Sequence, residues 1–172
     1  MILNHAVNVG GFLYCATYQG PHTTYTYFNA NDGHYHRWLY MIDGSATVDV
    51  RNTNDTTEDP VYTESGHLPG ELIDVSPSQG KYVTTTTNDI GLSMLMFNPI
   101  PATRELSVEI VKGSTSKTVI AGKQRITLIC VNGPITVNDK TVESLQHVKI
   151  FPDKSVEIIL PEHTVCALVQ DK

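Results

Sequence analysis

Leu39-Tyr40-Met41-Ile42-Asp43-Gly44-Ser45-Ala46-Thr47-Val48-Asp49 is echoed later in the same chain by Leu128-Ile129-Cys130-Val131-Asn132-Gly133-Pro134-Ile135-Thr136-Val137-Asn138. The shared pattern is Leu-x-x-Ile/Val-Asp/Asn-Gly-x-x-Thr-Val-Asp/Asn. Asp-Gly or Asn-Gly between two β-rich runs signals a hairpin, because these residues tolerate the positive φ of a tight turn. Each half is therefore expected to carry the same strand-turn-strand. Further on, Leu72-Ile73-Asp74-Val75-Ser76-Pro77 lines up with His147-Val148-Lys149-Ile150-Phe151-Pro152, and each is followed by two more strand-like runs.

The interval from glycine to proline is longer in the first copy (Gly44 to Pro77) than in the second (Gly133 to Pro152). The extra residues fall in 52–67, a polar stretch with the composition of a solvated loop. Pro99 and Pro101 stiffen residues 98–102 and mark the joint between the copies. The expected domains are residues 1–98 and 99–172. Elsewhere Thr, Val, Ile and Tyr recur in short runs broken by Gly, Pro, Asn and Asp, with strands expected at 12–18, 24–28, 35–42, 46–51, 71–75, 82–86 and 92–97. In the second half they are expected at 107–111, 125–131, 135–137, 147–151, 155–160 and 165–169. Short, regularly spaced strands without a helical stripe specify an all-β sandwich or barrel.

Composition narrows the function classes. Of 172 residues 17% are charged and the formal net charge is −6, so no basic surface is available for a phosphate backbone and nucleic acid is excluded as a partner. No apolar run is long enough for a membrane-spanning helix and the start of the chain lacks a signal peptide, which points to a cytoplasmic protein with no membrane partner. Cys15, Cys130 and Cys166 are odd in number and set among apolar residues, as befits reduced core thiols.

A strand ending in Asp/Asn-Gly, a second strand, a short link, a strand ending in Pro and two closing strands resemble the cupin barrel. Residues 126–152 read almost as the generic cupin progression. The resemblance covers nearly the whole chain and implies two tandem cupin-like β-sandwich or jelly-roll barrels related by an internal repeat, a small bicupin. Cupins commonly hold a metal through a His-x-His pair, a glutamate and a closing glycine, and His34-Tyr35-His36 followed by Gly44 invites that comparison. Alternate strand side chains share a face, so His34 and His36 would point the same way.

With Gly44 as the turn glycine, however, Arg37 stands where the resemblance implies the glutamate, and the two His positions fall near Ala30 and Asp32. With the His pair kept, the residue at a Glu-like spacing is Tyr40, a poor substitute because its hydroxyl stays protonated at neutral pH. Thr84 lies near the place of the histidine in the second cupin motif, otherwise matched by Pro77, Gly80 and Asn88. Lys123 and Arg125 repeat His34 and His36 in the second copy, where cations would repel a metal.

Two expectations of function follow. His34, His36, Trp38 and Tyr40 form the candidate ligand-binding set, with Tyr25, Tyr27, Phe28 and Tyr35 as further aromatic walls or plain core. No catalytic residue, metal or cofactor is assigned, and the run Thr84–Thr87 suits a solvated strand face. The leading expectation is a non-enzymatic structural or binding module that self-associates as a homo-oligomer or docks to another protein. Its Thr- and Asn-rich composition is compatible with a bacteriophage virion accessory protein, located in the virion. The alternative is a metal-dependent cupin enzyme, an oxygenase or isomerase on a small polar substrate, with His34, His36 and His67 or His22 holding Fe, Mn, Ni or Zn.

Overall fold

The computed structural model describes residues 2–28, 37–52, 57–75, 82–101 and 104–171. They form fifteen β-strands and, among the described residues, no helix. The chain divides into two compact units, 1–104 and 105–172. The division falls later than the expected joint because the last strand of the first unit runs on to Pro99 and the Ile100 amide donates to the Gly11 carbonyl at 2.9 Å.

In the first unit, β1 (Ile2–Asn8), β2 (Phe12–Gln19), β3 (Thr24–Phe28), β4 (Arg37–Arg51), β5 (Tyr62–His67), β6 (Leu72–Val75) and β7 (Tyr82–Pro99) make one antiparallel seven-stranded sheet. Its order is β1-β2-β7-β4-β5, with β3 on β7 and β6 on β4. The two long strands each change neighbours midway. β4 pairs with β6 over Arg37–Tyr40 and with β5 from Ala46 on, while β7 pairs with β3 over Tyr82–Thr86 and with β2 from Leu92 on. One continuous ladder is thereby folded into two facing layers, the geometry of a jelly roll.

The second unit reaches the same arrangement with broken strands. Its elements are β8 (Leu106–Lys112), β9 (Thr115–Ile120), β10 (Ile126–Asn132), β11 (Ile135–Val137), β12 (Lys140–Val142), β13 (His147–Ile150), β14 (Ser155–Leu160) and β15 (Val165–Asp171). They form two four-stranded sheets, β13-β10-β15-β8 and β12-β11-β14-β9. Matching β10 and β11 to the halves of β4, and β15 and β14 to the halves of β7, reproduces the strand order of the first unit apart from its edge strand β1.

The register repeats residue by residue. Leu39 faces Ile73 and Met96, and Leu128 faces Val148 and Leu168. Ala46 faces His67, and Ile135 faces Val142. The link between edge strands repeats too. In the first unit the Gly70 amide donates to the Met41 carbonyl at 2.7 Å, and the Met41 amide to the Glu71 carbonyl at 2.9 Å. In the second, the Leu145 amide donates to the Cys130 carbonyl at 2.7 Å, and the Cys130 amide to the Gln146 carbonyl at 3.0 Å. The sequence echo is thus a structural duplication.

The hairpin expected at Asp43-Gly44 does not form. β4 runs straight through it, with bulges between Met41 and Asp43 and between Gly44 and Ala46. Gly44, at φ +87°, lies so close to the Gly91 carbonyl that a Cβ there would overlap it, and a Cβ on Gly91 would sit 2.7 Å from the Gln19 carbonyl oxygen. The glycines are needed because β4 and β7 bend side by side. At Asn132-Gly133 the chain likewise crosses from one sheet to the other, and a Cβ on Gly133 would strike the Cys130 sulfur.

Each unit has its own apolar interior. The first packs Leu39, Met41, Val48, Leu92, Met94 and their neighbours, and the second Leu128, Cys130, Ile135, Ile158, Cys166 and theirs, all below a tenth exposed. Two expectations about polar stretches are overturned. Residues 62–67 of the insertion form β5, because the first unit needs a partner for the far half of β4 just as the second has β12. The threonine run is also no solvated face: Thr84, Thr85 and Thr87 are 1%, 0% and 2% exposed. Their hydroxyls are satisfied internally, Thr85 Oγ1 donating to Gln19 Oε1 at 2.6 Å, Thr87 Oγ1 to the Gly20 carbonyl at 2.6 Å, and Thr84 Oγ1 pairing with Thr26 Oγ1 at 3.0 Å. Gln19 Nε2 closes the network on the carbonyls of Thr23 and Thr85.

Gly44→Ala should cost on the order of 3 kcal/mol or more by forcing β4 away from β7, whereas Gly122→Ala, with open space at its Cβ, should lie within about 0.5 kcal/mol of wild type in urea denaturation. All three cysteines are free and buried. Burial pushes the Cys130 thiol up to about 11, helped by the Glu143 charge, and the Cys166 thiol opposite it up to about 12. Neither should react with a thiol reagent in the native protein at about pH 8, and both should react at once in denaturant.

Candidate functional site

Among the polar groups that the first unit buries on the interior side of its sheet is a histidine. His67 ends β5 opposite Ala46, whose side chain is part of the interior core, so the imidazole lies on the interior side of the sheet. The matching residue of the second unit is Val142, 6% exposed within its core. His67 is 8% exposed and its Nε2 is fully buried.

A short turn holds this histidine. Leu68-Pro69-Gly70-Glu71 has proline and glycine at the positions where a type II turn wants them, with Gly70 at φ +88°. The Glu71 amide donates to the Leu68 carbonyl at 3.2 Å, and the Leu68 amide donates back to Glu71 Oε2 at 3.2 Å. The same oxygen lies 3.0 Å from His67 Nδ1. An ionised carboxylate only accepts, so Nδ1 carries the hydrogen. The Leu68 amide, then the hydrogen bond and charge of His67, hold the Glu71 carboxyl below its usual range. In the second unit Gln146 Oε1 accepts from the Glu143 amide at 3.0 Å, the same turn closed by a neutral side chain.

The other sequence-derived candidates stand elsewhere. His34 and His36 lie outside the described residues, as does Tyr35. Trp38, opposite Asp74 and Phe97, is half-buried, and Tyr40, opposite Leu72 and Leu95, is 3% exposed with its phenol pushed above the usual value by burial. Leu39 and Met41 point into the interior core, so Trp38 and Tyr40 occupy the opposite face of β4. The structure brings Trp38 and Tyr40 onto one face and sets His67 on the other. His22 is an exposed residue 3.3 Å from Asp89.

The fold's usual metal finds little purchase on the described donors. His67 and Glu71 are two groups, and Thr84 shares its hydroxyl with Thr26 on the face of β7 away from the core. No cluster of three or more His, Cys, Asp or Glu occurs among the described residues. A closed site needs three or four donors. Sequence reasoning missed a second polar group, in which Arg51 donates to Asp49 Oδ2 at 3.0 Å and to the Glu58 carbonyl, and Thr63 Oγ1 donates to Asp49 Oδ1 at 2.7 Å. This group pins residue 58 of the insertion to β4. Its sequence signal is the Asp-x-Arg spacing, which puts both side chains on one strand face.

Glu71→Gln should preserve the turn, since Gln146 closes its counterpart, while removing a carboxyl whose native pKa is depressed. That carboxyl's contribution is present above about pH 4.5 and lost as pH falls through its lowered native value. Wild type should therefore lose more stability on acidification than the variant in denaturation curves recorded across the acid range.

No family model and no curated protein matches this chain. Solved structures do. A conserved protein of unknown function from Pseudomonas aeruginosa PAO1 superposes with TM-score 0.68 at 11% identity, over 99% of this chain and 87% of its own. A cupin 2 conserved barrel domain protein from Leptotrichia buccalis gives 0.53 at 8%, over 100% and 91%. A salicylate 1,2-dioxygenase from Pseudaminobacter salicylatoxidans gives 0.57 at 10%, over 94% and 71%. Likeness at these identities speaks for architecture, and together with the duplicated jelly-roll order it shows that the chain has the cupin fold.

Proposed function

We propose that this cupin-fold protein is a non-enzymatic module that works by binding, through self-association or docking to another protein. The observation that carries this reading is that the described core positions shared by the two units are apolar. Positions repeated between the units hold Leu39 and Leu128, Ile73 and Val148, Met96 and Leu168, and all belong to or pack on the two cores. Large apolar side chains are also offered to solvent: Ile90 is 64% exposed, Tyr25 42% and Tyr18 39% in the first unit. A virion accessory role in a bacteriophage is the narrower form of this reading and rests on composition alone.

The rival reading, a metal-dependent cupin enzyme, draws on one specific observation. A buried histidine whose Nδ1–H is held by a carboxylate is the arrangement that orients metal-ligating imidazoles. In that reading His67 would join His34 and His36 around Fe, Mn, Ni or Zn.

Purification without chelators followed by elemental analysis and light scattering separates the two. The binding-module reading expects less than about a tenth of an equivalent of transition metal, unchanged in a His34→Ala/His36→Ala/His67→Ala variant, and a mass above that of the monomer when alone or mixed with its partner. A stoichiometric metal lost in the variant, in a strictly monomeric protein that turns over a small molecule, would overturn it.

A further inference from the structure

Both units place a pair of sulfur side chains at the same position of the interior. Met41 faces Met94 across β4 and β7, and Cys130 faces Cys166 across β10 and β15. All four are fully buried. The positions correspond because Met41 and Cys130 make the same pair of backbone bonds to the link between the edge strands. Two methionines cannot bond to each other and two thiols can, so the fold by itself does not demand the cysteines.

Those backbone bonds also fix the geometry of the cysteine pair. The Cys130 amide donates to the Gln146 carbonyl at 3.0 Å, and the Cys130 carbonyl accepts from the Leu145 amide at 2.7 Å. In an antiparallel strand the amide and carbonyl of one residue face the same neighbour, so both groups of Cys130 point away from β15. Cys130 and Cys166 are therefore a non-hydrogen-bonded cross-strand pair, the kind in which the Cα atoms lie about 4.5 Å apart and the side chains come closest. A disulfide accepts Cα separations of roughly 4.4–6.8 Å. Both side chains belong to the interior core, and burial, then the nearby Cys130 sulfur, raises the Cys166 thiol. Cys15 stands in the other unit, opposite Ala6 and Met96.

We infer that Cys130 and Cys166 are a latent disulfide, formed with a small-molecule disulfide as oxidant when the second unit opens, and that the bond ties β10 to β15 once the unit has closed again. This redox device is independent of the docking role. In the closed unit both thiols are out of reach and protonated, so an oxidant meets no thiolate. In the opened unit one cysteine thiolate attacks a sulfur of the small disulfide and releases its other half as a thiol. The second cysteine then attacks the protein sulfur of that mixed disulfide, forming the Cys130–Cys166 bond and releasing the remaining half. Two protein thiols lose two electrons and two protons, and the oxidant leaves as two thiols. The bond joins the two central strands of the β13-β10-β15-β8 sheet, so a unit that has opened once under oxidising conditions resists opening again.

Oxidised glutathione at about pH 8 is the probe, applied to the full chain as wild type and as Cys15→Ala, which leaves only this pair of thiols. A peptide joining Cys130 to Cys166, with the loss of two hydrogens, should be scarce in buffer and form on the order of tenfold faster in urea just below the unfolding midpoint. Returned to buffer, the oxidised protein should recover the amide chemical shifts of the reduced protein outside β10 and β15. Its urea midpoint, read by the amides of those two strands, should rise on the order of 1 M, and dithiothreitol should reverse the rise. An oxidised chain that does not recover those shifts, an unchanged or lower midpoint, glutathione adducts that never close, or equal rates in buffer and urea would overturn the inference.

Discussion

The pairing of Leu39 with Ile73 and Met96, repeated as Leu128 with Val148 and Leu168, is the constraint on which the rest of the structure depends. Each trio runs inward from an edge strand of its sheet and lies on the interior side, so this register decides which side chains fill the core. With that register set, the following strand must leave for the facing layer. The first unit manages this by bending β4 and β7 together at Gly44 and Gly91, the second by ending β10 and starting β11 after Gly133. A glycine lies at the crossing in both because backbone or sulfur occupies the space a Cβ would take.

The two copies have diverged in how they treat polarity. The second keeps an interior of Val, Ile, Leu, Ala and Cys and holds its charged side chains out of it. The first admits buried polar groups, each with internal partners: Gln19 among the threonines of β7, Arg51 on Asp49 and the Glu58 carbonyl, and His67 on Glu71. Buried polar groups of this kind cost stability when a partner is lost, so they restrict the conformation of the segments they join. Here they join the insertion to β4 and the turn after β5 to the interior.

Much of this was legible in the residues. The echo of Leu39–Asp49 in Leu128–Asn138 predicts the duplication, and the match of Leu72–Pro77 with His147–Pro152 even carries the correct cross-strand register. The local meaning of Asp43-Gly44 was not legible, because a glycine required by a neighbouring backbone looks in sequence like a glycine required by a turn. Thr84–Thr87 misled for a related reason. Threonine suits a wet strand face, and only the tertiary position of Gln19, far away in sequence, shows that these hydroxyls are satisfied from within. His67 stood out only as a spare histidine, since its significance comes from Glu71 and from the valine at the matching place in the other copy.

The central claim, that both units close over cores of the same register, is tested most directly by native-state amide hydrogen exchange. The account predicts that the amides of Leu39 and Met41 in β4 and of Leu128 and Cys130 in β10 are among the slowest in their units, with β12 at the edge exchanging faster. Exchange of the β4 amides as fast as those of the edge strand, with β10 still protected, would mean a wet, open first barrel and would contradict it.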